Sequence, residues 1–205
     1  MIQYLGFVNY LAHAYLSFNV PAVLVGNLIS DYVKGKKQFD YPANVHKGIV
    51  LHRAIDTFTD EHAVTAAAKA IFRPHYRLYS GAFVDVVYDH FLANDGQSFP
   101  GNRLFEFSQE VYSTLDQYVS LFPSPFSSMY PYMKEYNWLY GYRERLGIER
   151  SFQGVVRRSA YLTESRVAFK LFEDNYEVLQ QCYVDFFPSL KAFALATLEN
   201  LDNRK

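Results

Sequence analysis

In the first 95 residues, Asp, His and Asn recur at a spacing of four. Asn9 and His13 form one pair, Asn27 and Asp31 another; His52, Asp56 and Asp60 make a ladder; Asp85 and Asp89 make a fourth set, with His90 adjacent. Residues i and i+4 share a helix face, with Cβ atoms about 5–6 Å apart. Two such side chains can converge on one cation, each at about 2.0–2.2 Å. The surroundings are apolar: Asp31 follows VLVGNLIS and Asp89 follows FVDVVY. An ionised carboxylate in a core must be paired, and the basic residues near these positions are few: Lys34, Lys47 and Arg53. Several Asp and His converging on a divalent cation would satisfy all of them. Asp and His ligation suits Mn, Fe, Mg or Zn, and the lack of thiolates argues against a structural zinc site.

From this pattern Asp31, His52, Asp56 and Asp89 are the expected ligands. His13 and His90 follow as further candidates, and Arg53 can pair with Asp56 or Asp60. Blander readings hold elsewhere: Asp60 can cap a helix starting near His62, and His46, His62 and His75 read as surface or core histidines.

The elements that must hold these residues read as helices near 7–17, 21–35, 42–62, 64–75, 79–94, 103–121, 126–140, 150–158 and 166–199, the last broken near Pro188. Pro21, Pro42 and Pro74 sit at or near boundaries. NDGQSFPGN at 94–102 is the clearest loop, and FPSPFSSMYP at 122–131 is a second break. No stretch alternates with period two for long enough to make a strand. The fold class expected is all-α, a single-domain helical bundle over 1–205. The halves differ in chemistry. Residues 1–95 hold all six His, seven of eleven Asp and one of ten Glu, so they read as the site; residues 96–205 read as a helical scaffold.

Four segments together carry a resemblance: NYLAHAYLS at 9–17, GNLISDYVKG at 26–35, GIVLHRAIDTFTD at 48–60 and DVVYDHFLA at 85–93. It continues through NWLYGYRERL at 137–146 and FFPSL at 186–190. In these motifs the chain resembles the acyl carrier protein phosphodiesterases, divergent relatives of the HD-domain metal phosphohydrolases. The resemblance implies an HD-domain-like fold and a divalent cation, Mn2+ above Mg2+ or Fe2+. It also implies hydrolysis of the phosphodiester joining 4'-phosphopantetheine to the carrier serine, with His13 and His90 as ligand, phosphate contact or general acid and Arg53 expected to neutralise the phosphate. The chain departs from the usual HD pattern: His52 is followed by Arg53, and the only adjacent pair is reversed, Asp89–His90.

Composition bounds the remaining choices. The net charge of -1, from 20 basic and 21 acidic residues, excludes an overall basic nucleic-acid binder. The single cysteine, Cys182, excludes an intrachain disulfide and favours a reducing cytoplasm. The apolar start, MIQYLGFVNYLAHAYLSF, lacks the basic flank of a signal peptide, and Asn9 and His13 make it too polar for a membrane span. An acidic carrier substrate calls for a basic docking surface. Lys34, Lys36 and Lys37 beside Asp31 are the expected one, with Asn27 as a further substrate contact. Two alternatives stay open: a metal phosphohydrolase of a nucleotide or another small phosphate ester, and a non-enzymatic helical module binding an apolar ligand or haem through its histidines and its 37 aromatic residues (18 Phe, 18 Tyr and one Trp).

Overall fold

A computed structural model describes residues 9–203 of the chain. Its α-helices are α1 (Tyr10–Tyr15), α2 (Pro21–Ile29), α3 (Ala43–Glu61), α4 (Ala63–Tyr76), α5 (Ser80–Ala93), α6 (Arg103–Asp116), α7 (Ser124–Glu135), α8 (Trp138–Gly141), α9 (Arg145–Arg158), α10 (Arg166–Asp174) and α11 (Tyr176–Asn203). Tight 3-10 turns at Ser30–Tyr32, Gly35–Asp40, Arg77–Tyr79 and Val119–Leu121 complete the path. The described residues form no strand, so the all-α expectation holds. Nor is any helix among them long and apolar enough to cross a membrane.

α5 organises the bundle. Twelve of its fourteen residues are buried, from Ser80 to Ala93. A helix apolar on every side has to lie inside a bundle rather than on it. One continuous core then takes a residue from each α-helix, including Leu11, Val25, Ile49, Phe72, Phe83, Leu104, Phe126, Leu139, Phe152, Phe172 and Phe186. The aromatic side chains are largely core: Phe72, Phe83 and Phe152 stack and tilt against one another with ring centroids 5.1–6.3 Å apart.

A tight helix contact sets up the site. α2 and α3 cross backbone to backbone at Gly26 and Gly48. A Cβ on Gly26 would lie 1.9 Å from the Val45 carbonyl oxygen, and one on Gly48 would lie 2.1 Å from that of Val23. No other residue fits either position. The next residue on α2 is Asn27, and one turn beyond Gly48 on α3 comes His52, so the crossing presses these two side chains together.

Several helix boundaries differ from the sequence reading. The helix expected over 21–35 ends at Ile29 and gives way to the two 3-10 turns, so Lys34, Lys36 and Lys37 lie off it. The last helix breaks at Asn175 rather than at Pro188, which lies inside α11. There Asn175 donates its side-chain amide to the Leu171 carbonyl at 2.9 Å and closes α10. α9 begins at Arg145, five residues before the expected start. The first helix is seen from Tyr10, and residues 7 and 8 of its expected span lie outside the described residues.

Candidate metal centre

Four elements deliver the site: His13 from α1, Asn27 from α2, Asp31 from the turn after it, and His52 with Asp56 from α3. His13, His52 and Asn27 are buried, at 1%, 2% and 0% exposure. The His13 and His52 rings stack with centroids 4.0 Å apart. Asn27 lies behind both. Its Oδ1 accepts from His13 Nδ1 at 2.7 Å and from His52 Nδ1 at 3.2 Å. Its Nδ2 donates to the His13 carbonyl at 2.9 Å and to Ser17 Oγ at 3.1 Å. One amide therefore fixes the Nδ1–H form of both rings and turns both Nε2 atoms the same way.

Asp56 meets those two atoms. Its Oδ1 lies 3.2 Å from His13 Nε2 and its Oδ2 lies 3.2 Å from His52 Nε2. Asp31 Oδ1 is a second carboxylate oxygen 3.2 Å from His52 Nε2. The Asp56 side chain is 48% exposed, against 12% for Asp31, so the cluster opens to solvent on the Asp56 side.

The electrostatics follow from this packing. Burial opposes a charge on His52, but the Asp56 and Asp31 carboxylates outweigh it and raise its pKa to about 10. Burial and the nearby His52 charge lower that of His13, so its ring is neutral. Burial would raise Asp56, but the His52 charge overrides it and holds the carboxyl far below its usual range. The result is one protonated histidine between carboxylates and one neutral histidine with a free lone pair.

These residues fit a divalent cation. One ligand atom each from His13, His52 and Asp56 lie within 4.8 Å of one another. Two ligands on opposite sides of one ion are about 4.2 Å apart at about 2.1 Å each, so only small side-chain adjustments separate the two arrangements. His13 Nε2 is buried and, although 3.2 Å from Asp56 Oδ1, has no hydrogen-bond partner, and Asp31 Oδ2 is a buried oxygen without one. Orphaned buried polar atoms are rare and call for an explanation; a cation among them supplies it. The set is two imidazoles and two carboxylates, suited to Mn, Fe, Mg or Zn.

Residues 8–190 match the protein family described as acyl carrier protein phosphodiesterase. The chain belongs to that family. The acyl carrier protein phosphodiesterase of Yersinia pestis is 32% identical over 184 residues, 89% of this chain and 95% of the relative. That of Klebsiella pneumoniae is 32% identical over 188 residues, 91% and 97% of the two chains. That of Photorhabdus laumondii is 29% identical over 196 residues, 95% and 97%. No solved structure matches.

In this acyl carrier protein phosphodiesterase family member, the structure separates other expected site residues from the cluster. Asp89 is fully buried, but its oxygens accept from the backbone N–H groups of Leu11 at 3.0 Å and Ala12 at 2.8 Å. It caps α1 from α5, a role the flanking Asn9 does not perform with its own side chain. The charge expected to need a cation met the positive end of a helix instead. His90 is also elsewhere, its Nδ1 bonded to the Tyr142 carbonyl at 2.7 Å and its Nε2 to the Tyr176 hydroxyl at 3.0 Å. Arg53 donates to Gln38 Oε1 at 2.6 Å and to the Val33 carbonyl at 3.0 Å, and has no ion pair with Asp56 or Asp60 among the described residues. It ties the lysine-bearing turn to α3. Lys34, Lys36 and Lys37 are exposed on and beside that turn. Asp60 pairs with Lys69 at 2.6 Å, and His62, not Asp60, caps α4 by accepting from Val64 N–H.

Asn27 is not placed for substrate contact, because it is sealed behind the histidines. Ser17, which the sequence reading passed over, donates to the His13 carbonyl at 2.8 Å and accepts from Asn27. Its spacing of four from His13 was the available signal.

Proposed function

We propose that this chain hydrolyses the phosphodiester between 4'-phosphopantetheine and the serine of acyl carrier protein, at a divalent-cation centre held by His13, Asp31, His52 and Asp56. The observation that carries the reading is the pair of Nε2 atoms set by one buried amide against a half-exposed carboxylate, in a chain of the acyl carrier protein phosphodiesterase family. Mn2+ is the ion we favour, with Mg2+ or Fe2+ as alternatives. When bound, the cation supplies Lewis-acid stabilisation of the phosphoryl group and activation of water.

The residues contribute position and charge. Asn27 holds both imidazoles in one tautomer, the usual task of a partner behind a metal-binding histidine. His13 is already neutral and needs no deprotonation to act as a ligand. Asp56, facing solvent, marks the side from which a phosphodiester on a protein surface can approach. In the reaction the oxygen of water bonds to phosphorus, the bond from phosphorus to the serine oxygen breaks, and that oxygen takes up a proton. The products are the carrier serine and a phosphomonoester.

Lys34, Lys36 and Lys37 are the proposed docking surface for the acidic carrier. Arg53 fixes the turn that carries them one residue from His52. For such a carrier the setting we favour is the cytoplasm. The test is to incubate the purified protein and Mn2+ with holo-acyl carrier protein and follow the carrier's intact mass. Loss of the prosthetic arm is expected. An unchanged carrier alongside turnover of nucleotides would replace this reading with that of a small-ester phosphohydrolase.

A further inference from the structure

A further cleft is lined by none of the residues of the histidine cluster. This cleft, of about 640 Å³, is lined by α9, the segment from Tyr136 to Tyr142, Tyr10 and Val86. None of His13, Asp31, His52 or Asp56 lines it. The volume falls within the usual range of small-molecule sites, about 300–1,000 Å³.

Its chemistry is lopsided. Arg150, Arg157 and Arg158 line it, and among the described residues no Asp or Glu does. None of the three arginines forms an ion pair among the described residues, whereas Arg143 and Arg145 nearby are paired with Glu144 and Glu173. Arg158 is half-buried and its Nε is a buried donor with no hydrogen-bond partner. A buried guanidinium donor without an acceptor costs stability, and three positive charges around one cleft repel one another. A multiply charged anion relieves both, and guanidinium forks match phosphate oxygens two at a time.

The rest of the lining fits a ring. Gly147, Ser151 and Gly154 recur along one face of α9, giving a floor of small residues between the arginines. Trp138 is half-buried at the wall and Tyr136 is 64% exposed. Flat exposed aromatics beside arginines offer stacking surface to a planar group.

We propose that this cleft binds a small phosphorylated ligand carrying a flat ring, the chemistry of a nucleotide, with Arg150, Arg157 and Arg158 on the phosphates and Trp138 with Tyr136 on the ring. The proposal is independent of the metal-centre reading. Trp138 is the only tryptophan of the chain, so its fluorescence reports on this cleft alone. The experiment titrates the full-length protein with ADP, adenosine and inorganic phosphate in excess EDTA, which takes any cation away from the histidine cluster.

ADP should change the Trp138 emission saturably, with half-saturation below about 1 mM. Adenosine or phosphate alone should bind about tenfold more weakly or worse. The double variant Arg150→Ala/Arg157→Ala, both at exposed positions, should weaken ADP by about tenfold or more while its circular dichroism stays that of the parent. Arg158→Lys should also weaken it, since a single ammonium cannot reproduce the fork. No saturable change with ADP overturns the proposal, as does an Arg double variant that binds ADP as tightly as the parent. Inorganic phosphate binding as tightly as ADP overturns the assignment of the ring.

Discussion

Replacing Asn27 by Leu tests the part of the site that the structure shows most sharply. Leu has the same branched heavy-atom skeleton as Asn, so it is the apolar replacement nearest in shape, although its methyl groups are bulkier than the amide. What is lost is the amide's four hydrogen bonds, to His13 Nδ1, His52 Nδ1, the His13 carbonyl and Ser17 Oγ. Asn27 is fully buried, so water does not take its place. At about 0.5–1.5 kcal/mol for each bond, and with two of the four at the long end, the variant should lose about 2–4 kcal/mol of stability. The effect on metal is separate. Without an acceptor at Nδ1, neither ring is held in the form that presents Nε2, and loss of such a partner weakens metal binding by about 10–100-fold. Urea unfolding without metal gives the first quantity, and competition with a chelating dye gives the second. Mn2+ affinity within about twofold of the parent, in a variant destabilised as described, would refute the reasoning. Asn27 would then support the fold without orienting the ligands.

Metal affinity should rise with pH. His52 is protonated up to about pH 10 and must release that proton to act as a ligand, so binding between pH 7 and 9 should release about one proton and strengthen about tenfold per unit; calorimetry in buffers of different ionisation enthalpy checks this. Asp89→Ala strands the N–H groups of Leu11 and Ala12 and should cost about 2–4 kcal/mol in a denaturant melt, whereas Asp56→Ala should remove metal and, because it takes one of two carboxylates from the buried His52 charge, should also lower stability. Burial, partly offset by those two N–H bonds, raises the pKa of Asp89 to about 7, above its unfolded value of about 3.9. The folded state thus binds the extra proton between about pH 4 and 7, and the Asp89 contribution to stability falls as pH rises through that window; Asp89→Asn should flatten that part of the profile. Gly48→Ala puts a methyl 2.1 Å from the Val23 carbonyl oxygen and should cost about 1–3 kcal/mol or more with loss of metal. Reversing Lys34, Lys36 and Lys37 to Glu should raise KM for the carrier far more than it lowers kcat, and leave a small phosphodiester substrate unaffected.

The helices were legible because their apolar periodicity is strong and their breaks carry Pro, Gly and Asn. The spacing of four also marked His52 and Asp56, which do share one face of α3. Partners brought together by tertiary packing were not legible. Asp89 looked like a charge seeking a cation because sequence does not show that the start of α1 lies against α5. His90, adjacent to it, points to the other side of α5, towards Tyr142 and Tyr176. His13 ranked below Asp89 for the same reason: its approach to His52 depends on the glycine crossing of α2 and α3. The ending of α2 at Ile29 was hidden because GNLISDYVKG carries no proline and one late glycine, so nothing local marks the change to tighter turns.

The central claim is that one cation centre at His13, His52 and Asp56 performs the hydrolysis of the carrier. It is tested most directly by measuring bound manganese by elemental analysis and the intact mass of holo-acyl carrier protein after incubation, on the same preparations of parent, Asp56→Asn and His13→Gln. The account predicts bound metal and loss of the phosphopantetheine arm with the parent, and loss of both activities together in each folded variant. Variants that still strip the arm at the parental rate would contradict it, and so would a parent that leaves the carrier intact with its metal bound.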